Sequence, residues 1–200
     1  IRDRVRSEII PDDRKFGGER YGLSLLHDQQ FGVNWSGRID LGYVSDSAYL
    51  DDFGDSLTAT SADYVPQEAE LKYEGSGWLL PDDDLTFGLR FSEFEIIDPT
   101  INEEDKPYAR LPEITLGWKP RIEGSLLEPD FVTAWTRFDH PSLSKTQGDR
   151  LNVRPRLKMN LEREVGYVRP QLDLDITSYS LDRRTRYGFS GFGPYKPGSM

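Results

Sequence analysis

The residues best suited to catalysis are scarce and badly placed. The only two histidines, His27 and His140, lie far apart, each in a turn-like setting, so surface or turn roles are expected rather than metal binding or proton transfer. GFSGFG around Ser190 puts Phe192 where a nucleophile elbow needs its second glycine. GFGPYKPG has no strand–turn–helix context for a dinucleotide. Asp51, Asp52 and Asp55, or Asp82 to Asp84, supply carboxylates without the calcium-loop spacing, and read as solvated acidic loops. No carboxylate pair is singled out for glycoside hydrolysis. The sequence makes no case for an enzyme, a metal or a cofactor.

One cationic row is more suggestive. Arg154, Arg156 and Lys158 alternate with apolar residues and could meet a phosphorylated or acidic glycan; the simpler expectation is that they pair with Asp173 and Asp175. With 35 Asp+Glu against 25 Lys+Arg, the net charge of -10 disfavours a general nucleic-acid binder. The absence of cysteine leaves the redox compartment unread. No window approaches the ~18 apolar residues of a membrane helix, and the first residues are no signal peptide. The mean hydropathy of -0.64 does not exclude a membrane barrel, whose lipid-facing and lumen-facing residues alternate.

Those residues must be positioned by strands, because period-2 alternation recurs while helical periodicity is absent. Val33 to Tyr43 is the clearest case, with Val33, Trp35, Gly37, Ile39, Leu41 and Tyr43 on one face and Arg38 and Asp40 on the other. Leu85 to Phe91 alternates likewise, then slips phase near Glu93, which predicts a bulge or the strand's end. Leu151–Glu162 and Val168–Thr177 are strong candidates; Val5–Ile10, Tyr21–His27, Glu68–Tyr73, Arg110–Trp118 and Phe131–Phe138 are weaker. PDDRKFGGER, HDQQFG, SGWLLPDDD, IIDPTINEEDKPYA and HPSLSKTQGD read as connections, with short and long ones alternating along much of the chain. The longest candidates run to about 11 residues, close to the ~9–11 of a tilted membrane strand. Flanking Tyr21, Trp35, Tyr43, Trp78, Trp118, Trp135, Tyr167 and Tyr179 resemble two aromatic girdles. The pattern points to an all-β antiparallel transmembrane β-barrel segment of roughly nine or ten strands over residues 1–181, with 182–200 a loop or tail. A soluble β-sandwich is the alternative.

Proline tests the hairpin. Pro155 and Pro170 fall in mid-pattern, and a proline has no N–H for a ladder. Matching the apolar parities sets Leu157 opposite Leu172, Met159 opposite Pro170, Arg156 opposite Asp173 and Arg154 opposite Asp175. A four-residue loop, Arg163 to Gly166, is the expected closure and turns both missing donors outward, leaving the hairpin's own ladder whole; a two-residue loop would keep the register and reverse that.

A family comes into view at YVSDSAYLDDFGDSL. Val44, Ser45, Asp46, Tyr49, Leu50, Asp52 and Phe53 resemble the V-S-D-x-x-Y-[LF]-x-D-[FI] pattern of the LptD family of LPS-assembly proteins. EIIPDDRKFGGER, ARLPEITL with its Pro112, and VRPRLKMNLEREVGYVRPQLDLDITSY resemble further family segments in the same order, over about Val5 to Leu181; the tail after Leu181 does not match. The resemblance implies the middle part of a Gram-negative outer-membrane barrel that inserts lipopolysaccharide into the outer leaflet. It implies an LptE-type lipoprotein plug, a periplasmic LptA-type bridge reached through a domain absent here, and surrounding outer-membrane lipids. It implies no covalent chemistry, and places the polar residues Arg38, Asp40, Arg154, Arg156, Lys158, Asp173 and Asp175 toward the lumen. Another barrel, such as a porin or a TonB-dependent receptor, and a soluble carbohydrate-binding β-sandwich stand as alternatives.

Overall fold

The computed structural model describes residues 2–15, 17–49, 52, 64–77, 79–98, 100–164 and 166–182. Eight long strands follow one another: β1 (Arg2–Asp13), β2 (Gly18–Phe31), β3 (Trp35–Val44), β4 (Tyr64–Ser76), β5 (Asp84–Ile96), β6 (Ala109–Lys119), β7 (Leu127–Asp139) and β8 (Gly148–Met159). Each pairs antiparallel with the next, so sequence order is sheet order. The chain returns from β8 through β9 (Leu161–Arg163), β10 (Gly166–Val168), β11 (Gln171–Asp173) and β12 (Ile176–Leu181). β11 and β12 both pair with β8, while β9 pairs with β10. The sheet is a single open layer and is not closed within this chain.

The strands outrun their apolar cores. β2 has 14 residues and β4 has 13, because polar ends continue the ladder beyond the alternating apolar stretch. His27 to Phe31, expected in a connection, therefore belong to β2, and Val33, expected in a strand, stands in the turn. A 12-residue strand tilted by about 45° rises ~28 Å, enough for the apolar band of a membrane barrel.

The register lines the faces up. On one face, Trp35 is opposite Tyr73, Tyr73 opposite Phe87, and Phe87 opposite Leu116. Ile114 is opposite Trp135, and Trp135 opposite Leu151. The row through Ile114 is apolar from Leu71 on β4, by way of Leu89, to Leu151 on β8, whereas Leu116 in the row through Phe87 meets Thr133 on β7. Among the described residues no second sheet covers this face: Leu157 and Leu172 are exposed, which argues against the β-sandwich. Aromatic pairs mark both ends of the face, with Trp35–Tyr73 at 5.0 Å and Trp118–Phe131 at 5.7 Å at one end, and Tyr21–Tyr43 at 5.9 Å at the other. Trp78 lies outside the described residues.

The ends differ too. Short turns join β2 to β3, β4 to β5 and β6 to β7 at one end, whereas residues 45–63, 97–108 and 140–147 connect strands at the other. A small core joins Val44 of β3 and Val65 of β4 to Tyr49 and Ile97, which lie in two of these connections.

Two irregularities trace to proline. Pro112 does not sit in a regular ladder: Leu111 and Pro112 together face one residue of β5 and one of β7, a bulge in β6 where the missing donor is harmless. The phase slip near Glu93 is therefore neither a bulge in β5 nor its end. β5 stays in register with β4 to Ile96, and Phe94 turns to the polar face to meet Tyr64, ring centroids 5.2 Å apart.

The hairpin has the register expected, with Leu157 opposite Leu172 and Arg156 opposite Asp173, held unshifted from Arg163–Gly166 down to Gly148–Leu181. Its loop is residues 164–165, because Arg163 pairs with Gly166; the four-residue loop is wrong. The consequence for the prolines reverses. Met159 N–H donates to the Pro170 carbonyl at 3.0 Å and Leu174 N–H to that of Pro155 at 3.1 Å. Both prolines sit in hydrogen-bonded pairs, and their missing donors point between the arms. The returning arm breaks into β10, β11 and β12 at Arg169–Pro170, and again at Leu174–Asp175 across from Pro155.

Candidate functional site

The second face of the sheet is polar, and alternation puts it there: each residue between two apolar ones must point the other way. Cross-strand register joins its charges into one row, Asp28 opposite Arg38, Arg38 opposite Glu70, Glu70 opposite Arg90, and Arg90 opposite Glu113. Signs alternate from strand to strand. Arg38 reaches Asp28 at 3.2 Å and Asp40 at 3.0 Å, and Arg90 reaches Glu68 at 2.7 Å. Such half-exposed pairs contribute at most about 1 kcal/mol each, but they fix register and leave the face nearly neutral. Arg38 and Asp40 are thus brought together. Arg154 is 3.3 Å from Asp175, and Arg156 lies between Asp173 at 2.5 Å and Asp130 at 3.6 Å. Lys158 stands opposite Glu128 and Gln171.

At the end with the longer connections, the V-S-D segment folds back over β2. Arg20, at 1% exposure, holds Asp46 through two hydrogen bonds of 3.0 and 2.9 Å, Asp52 at 2.7 Å and Asp13 at 3.1 Å. Ser45 accepts from the Tyr21 N–H at 3.0 Å and donates to Asp46 at 2.7 Å. Tyr49, fully buried, lies 5.6 Å from the Arg20 guanidinium and donates to Glu8 at 3.1 Å. Gly22 makes room for that ring, since a Cβ there would sit 2.7 Å from it. Lys15 closes the cluster on Asp52 at 2.6 Å. Hydrogen bonds from Lys15 first and Arg20 second hold the Asp52 carboxyl below the usual carboxylate range, and the same contact holds the Lys15 ammonium above its ordinary value. A buried arginine with three carboxylates is a fastening, not a catalytic centre.

Val44, Ser45, Asp46, Tyr49 and Asp52 therefore converge, while Leu50 and Phe53 lie outside the described residues. Arg20, Asp13 and Glu8 were missed by sequence reasoning. The available signal was an arginine on the polar parity of β2, beside a connection carrying acids at 46 and 52. Asp83, expected with Asp82 and Asp84 in a solvated acidic loop, is instead fully buried: it accepts from Trp118 Nε1 at 2.9 Å and from the Leu79 and Leu80 N–H groups, tying a short turn to β6. His27 lies on the apolar face of β2 beside Asp3 and Gln29, not in a turn. His140 is in a connection as expected but buried, donating from Nε2 to the Lys106 carbonyl at 2.9 Å and accepting the Ser142 N–H at Nδ1.

A two-faced sheet of this kind leaves its family open, and comparison with known proteins decides it. The family model of LptD, described as LPS transport system D, matches residues 18–195. The chain belongs to the LptD family. It is 33% identical over 179 residues to the LPS-assembly protein LptD of Chromobacterium violaceum, covering 90% of this chain and 22% of that one. The LptD protein of Ralstonia nicotianae is 30% identical over 182 residues, covering 90% and 21%. That of Alcanivorax borkumensis is 32% identical over 176 residues, covering 87% and 22%. The chain spans about a fifth of the length of these relatives. The LptD match also reaches residue 195, so the family extends through residues after Leu181 that had not resembled it.

Proposed function

We propose that this chain is a wall segment of an outer-membrane barrel that inserts lipopolysaccharide into the outer leaflet, with the apolar face toward lipid and the polar face lining the lumen. The carrying observation is the open antiparallel sheet, apolar on one face and charge-paired on the other, in a family described by lipopolysaccharide transport. Lipid does not tolerate bare sheet edges, so further strands must complete the wall. The longer connections belong on the extracellular side and the short turns on the periplasmic side, as in other outer-membrane barrels. Residues 1–181 form the wall segment in this reading, and 182–200 a loop or tail. An LptE-type lipoprotein would occupy the lumen, and an LptA-type periplasmic bridge would deliver lipopolysaccharide through a domain outside this chain. The barrel's role is passage without covalent chemistry. The fastened V-S-D segment would hold an extracellular loop over the lumen.

The test uses the full-length protein in native membranes. Single cysteines at Leu71, on the apolar face, and Lys72, on the polar face, are treated with lipid-soluble and water-soluble maleimides. Leu71 should react only with the lipid-soluble reagent and Lys72 with the water-soluble one; the opposite pattern would end the proposal. Depletion of the protein should stop new lipopolysaccharide reaching the cell surface.

A further inference from the structure

One cross-strand row of the apolar face is uneven. His27 stands opposite Ile39, Ile39 opposite Ala69, and Ala69 opposite Phe91. A single methyl group thus falls between two bulky side chains. The next row sets Gly37 opposite Leu71, and Leu71 opposite Leu89. Phe31 leans across Gly37, since a Cβ there would sit 2.9 Å from its ring. The small residues leave a groove of about 280 Å³ over Ala69, walled by Phe31, Ile39, Leu71, Leu89 and Phe91. It spans β2 to β5, each of which has a neighbour on both sides within this chain. Farther along the sheet the face is level: Ile114, Trp135 and Leu151 continue the row of Leu89 with no small residue.

His27, Arg38 and Glu70 also border the groove without making it polar. Alternation turns the Arg38 and Glu70 side chains to the other face. The His27 ring is engaged at both nitrogens, Nδ1 with Asp3 and Nε2 with Gln29 at 3.1 Å. A protein occupant would bring polar groups around its apolar anchor, and nothing in the groove answers them. Where a wall faces lipid, hydrocarbon is the solvent, and an apolar hollow takes up hydrocarbon rather than water. An apolar cavity of about 150 Å³ already holds benzene, so this groove accommodates a stretch of acyl chain. A chain lying in it gains dispersion contacts on three sides, which the level part of the face does not offer.

Depth selects the leaflet. The groove begins one alternate residue inward from the row of Trp35, Tyr73 and Phe87 and reaches the next. On tilted strands that lies ~5–10 Å inside the aromatic girdle at the short-turn end. Tyr73 accepts from Asn34 at 3.3 Å, which leaves its hydroxyl proton to donate. An indole and a phenol at this level suit ester carbonyls, and no cation shares the row to hold a cluster of phosphates. We infer that the groove over Ala69 is a binding site for one acyl chain of a phospholipid in the short-turn leaflet, with the ester carbonyls at Trp35 and Tyr73. This rests on the reading that the apolar face meets lipid, and it names one place where a lipid is held.

The full-length protein is reconstituted in vesicles of phosphatidylethanolamine and phosphatidylglycerol that include a phosphatidylethanolamine with a mid-chain diazirine. Labelled residues are located by peptide mass spectrometry after illumination. Leu71 and Leu89 should be labelled about fivefold more than Trp135 and Leu151, and A69F, which fills the groove, should bring them down to that level. A69V fills it in part and should produce roughly half of that fall, so it serves should A69F not assemble. Even labelling of the apolar face, unchanged in either variant, overturns the site and upholds the lipid-facing reading. Labelling of Trp135 and Leu151 that spares the groove means that a second copy of the protein covers it, and likewise overturns the site alone. Label confined to polar-face residues such as Lys72 and Thr115 overturns both.

Discussion

The polar face presents two rows of three cations with the same spacing, Arg2–Arg4–Arg6 on β1 and Arg154–Arg156–Lys158 on β8. The β8 row faces acids on both sides: Arg156 has Asp130 on β7 and Asp173 on β11, and Arg154 has Asp175. The β1 row faces Asp28, already engaged, then Leu26 and Ser24. Spacing along one strand is therefore no guide to whether a cation is available. What decides it is the charge on the neighbouring strand, and that depends on register. The more conspicuous row in the sequence is largely neutralised, while the β1 row has a neighbouring strand on one side only within this chain.

The comparison can be pushed at its extreme first. Arg20 is the most completely neutralised cation, and R20A would leave Asp13, Asp46 and Asp52 crowded without their counter-charge. We expect a loss of about 3 kcal/mol and release of the V-S-D segment, read as lost protection of the Ser45 amide in hydrogen exchange. Unchanged protection would mean that packing by Tyr49, not charge, holds the segment.

Exchanging the character of the two rows comes next. L26E gives Arg4 an acid directly across the strand pair, making β1 resemble β8; it should stabilise the sheet by a few tenths of a kcal/mol, read as a raised unfolding temperature in detergent. D130N/D173N/D175N frees Arg154 and Arg156, making β8 resemble β1, and a photoreactive probe at Gln171 should gain glycolipid cross-links roughly threefold. If neither exchange has its expected effect, counter-charge is not what distinguishes the rows.

The β8 hairpin differs from β1–β2 in its backbone as well. P155V and P170V should each restore an inward N–H, to the Leu174 and Met159 carbonyls respectively. Each should add about 1 kcal/mol and raise the unfolding temperature in detergent. A fall would show that the interrupted arm cannot straighten.

The smallest effect is pH. Asp52 is held below the ordinary carboxylate range, so its contribution is fully present above the unfolded-state pKa and is lost as pH falls through the lowered folded value. The V-S-D segment should be equally protected from pH 5 to 8 and begin to open only under about pH 4. In D52N that acid-side change should shrink.

The sequence by itself determined the strand character, the two faces and the β8 hairpin register, because period-2 alternation and matched parities are local properties. It also exposed the V-S-D segment, since its residues are contiguous. It did not determine the loop of that hairpin: parity fixes register but not which pair closes the turn, and no Asn-Gly or Asp-Gly pair marked a two-residue loop. Strand ends were drawn short because hydropathy fades before the hydrogen-bond ladder does. Only the tertiary structure decided that Arg20 gathers Asp13, Asp46 and Asp52 from three places in the chain. That depends on which strand lies beside which, and in what register, a relation between residues up to 32 positions apart that no single strand contains.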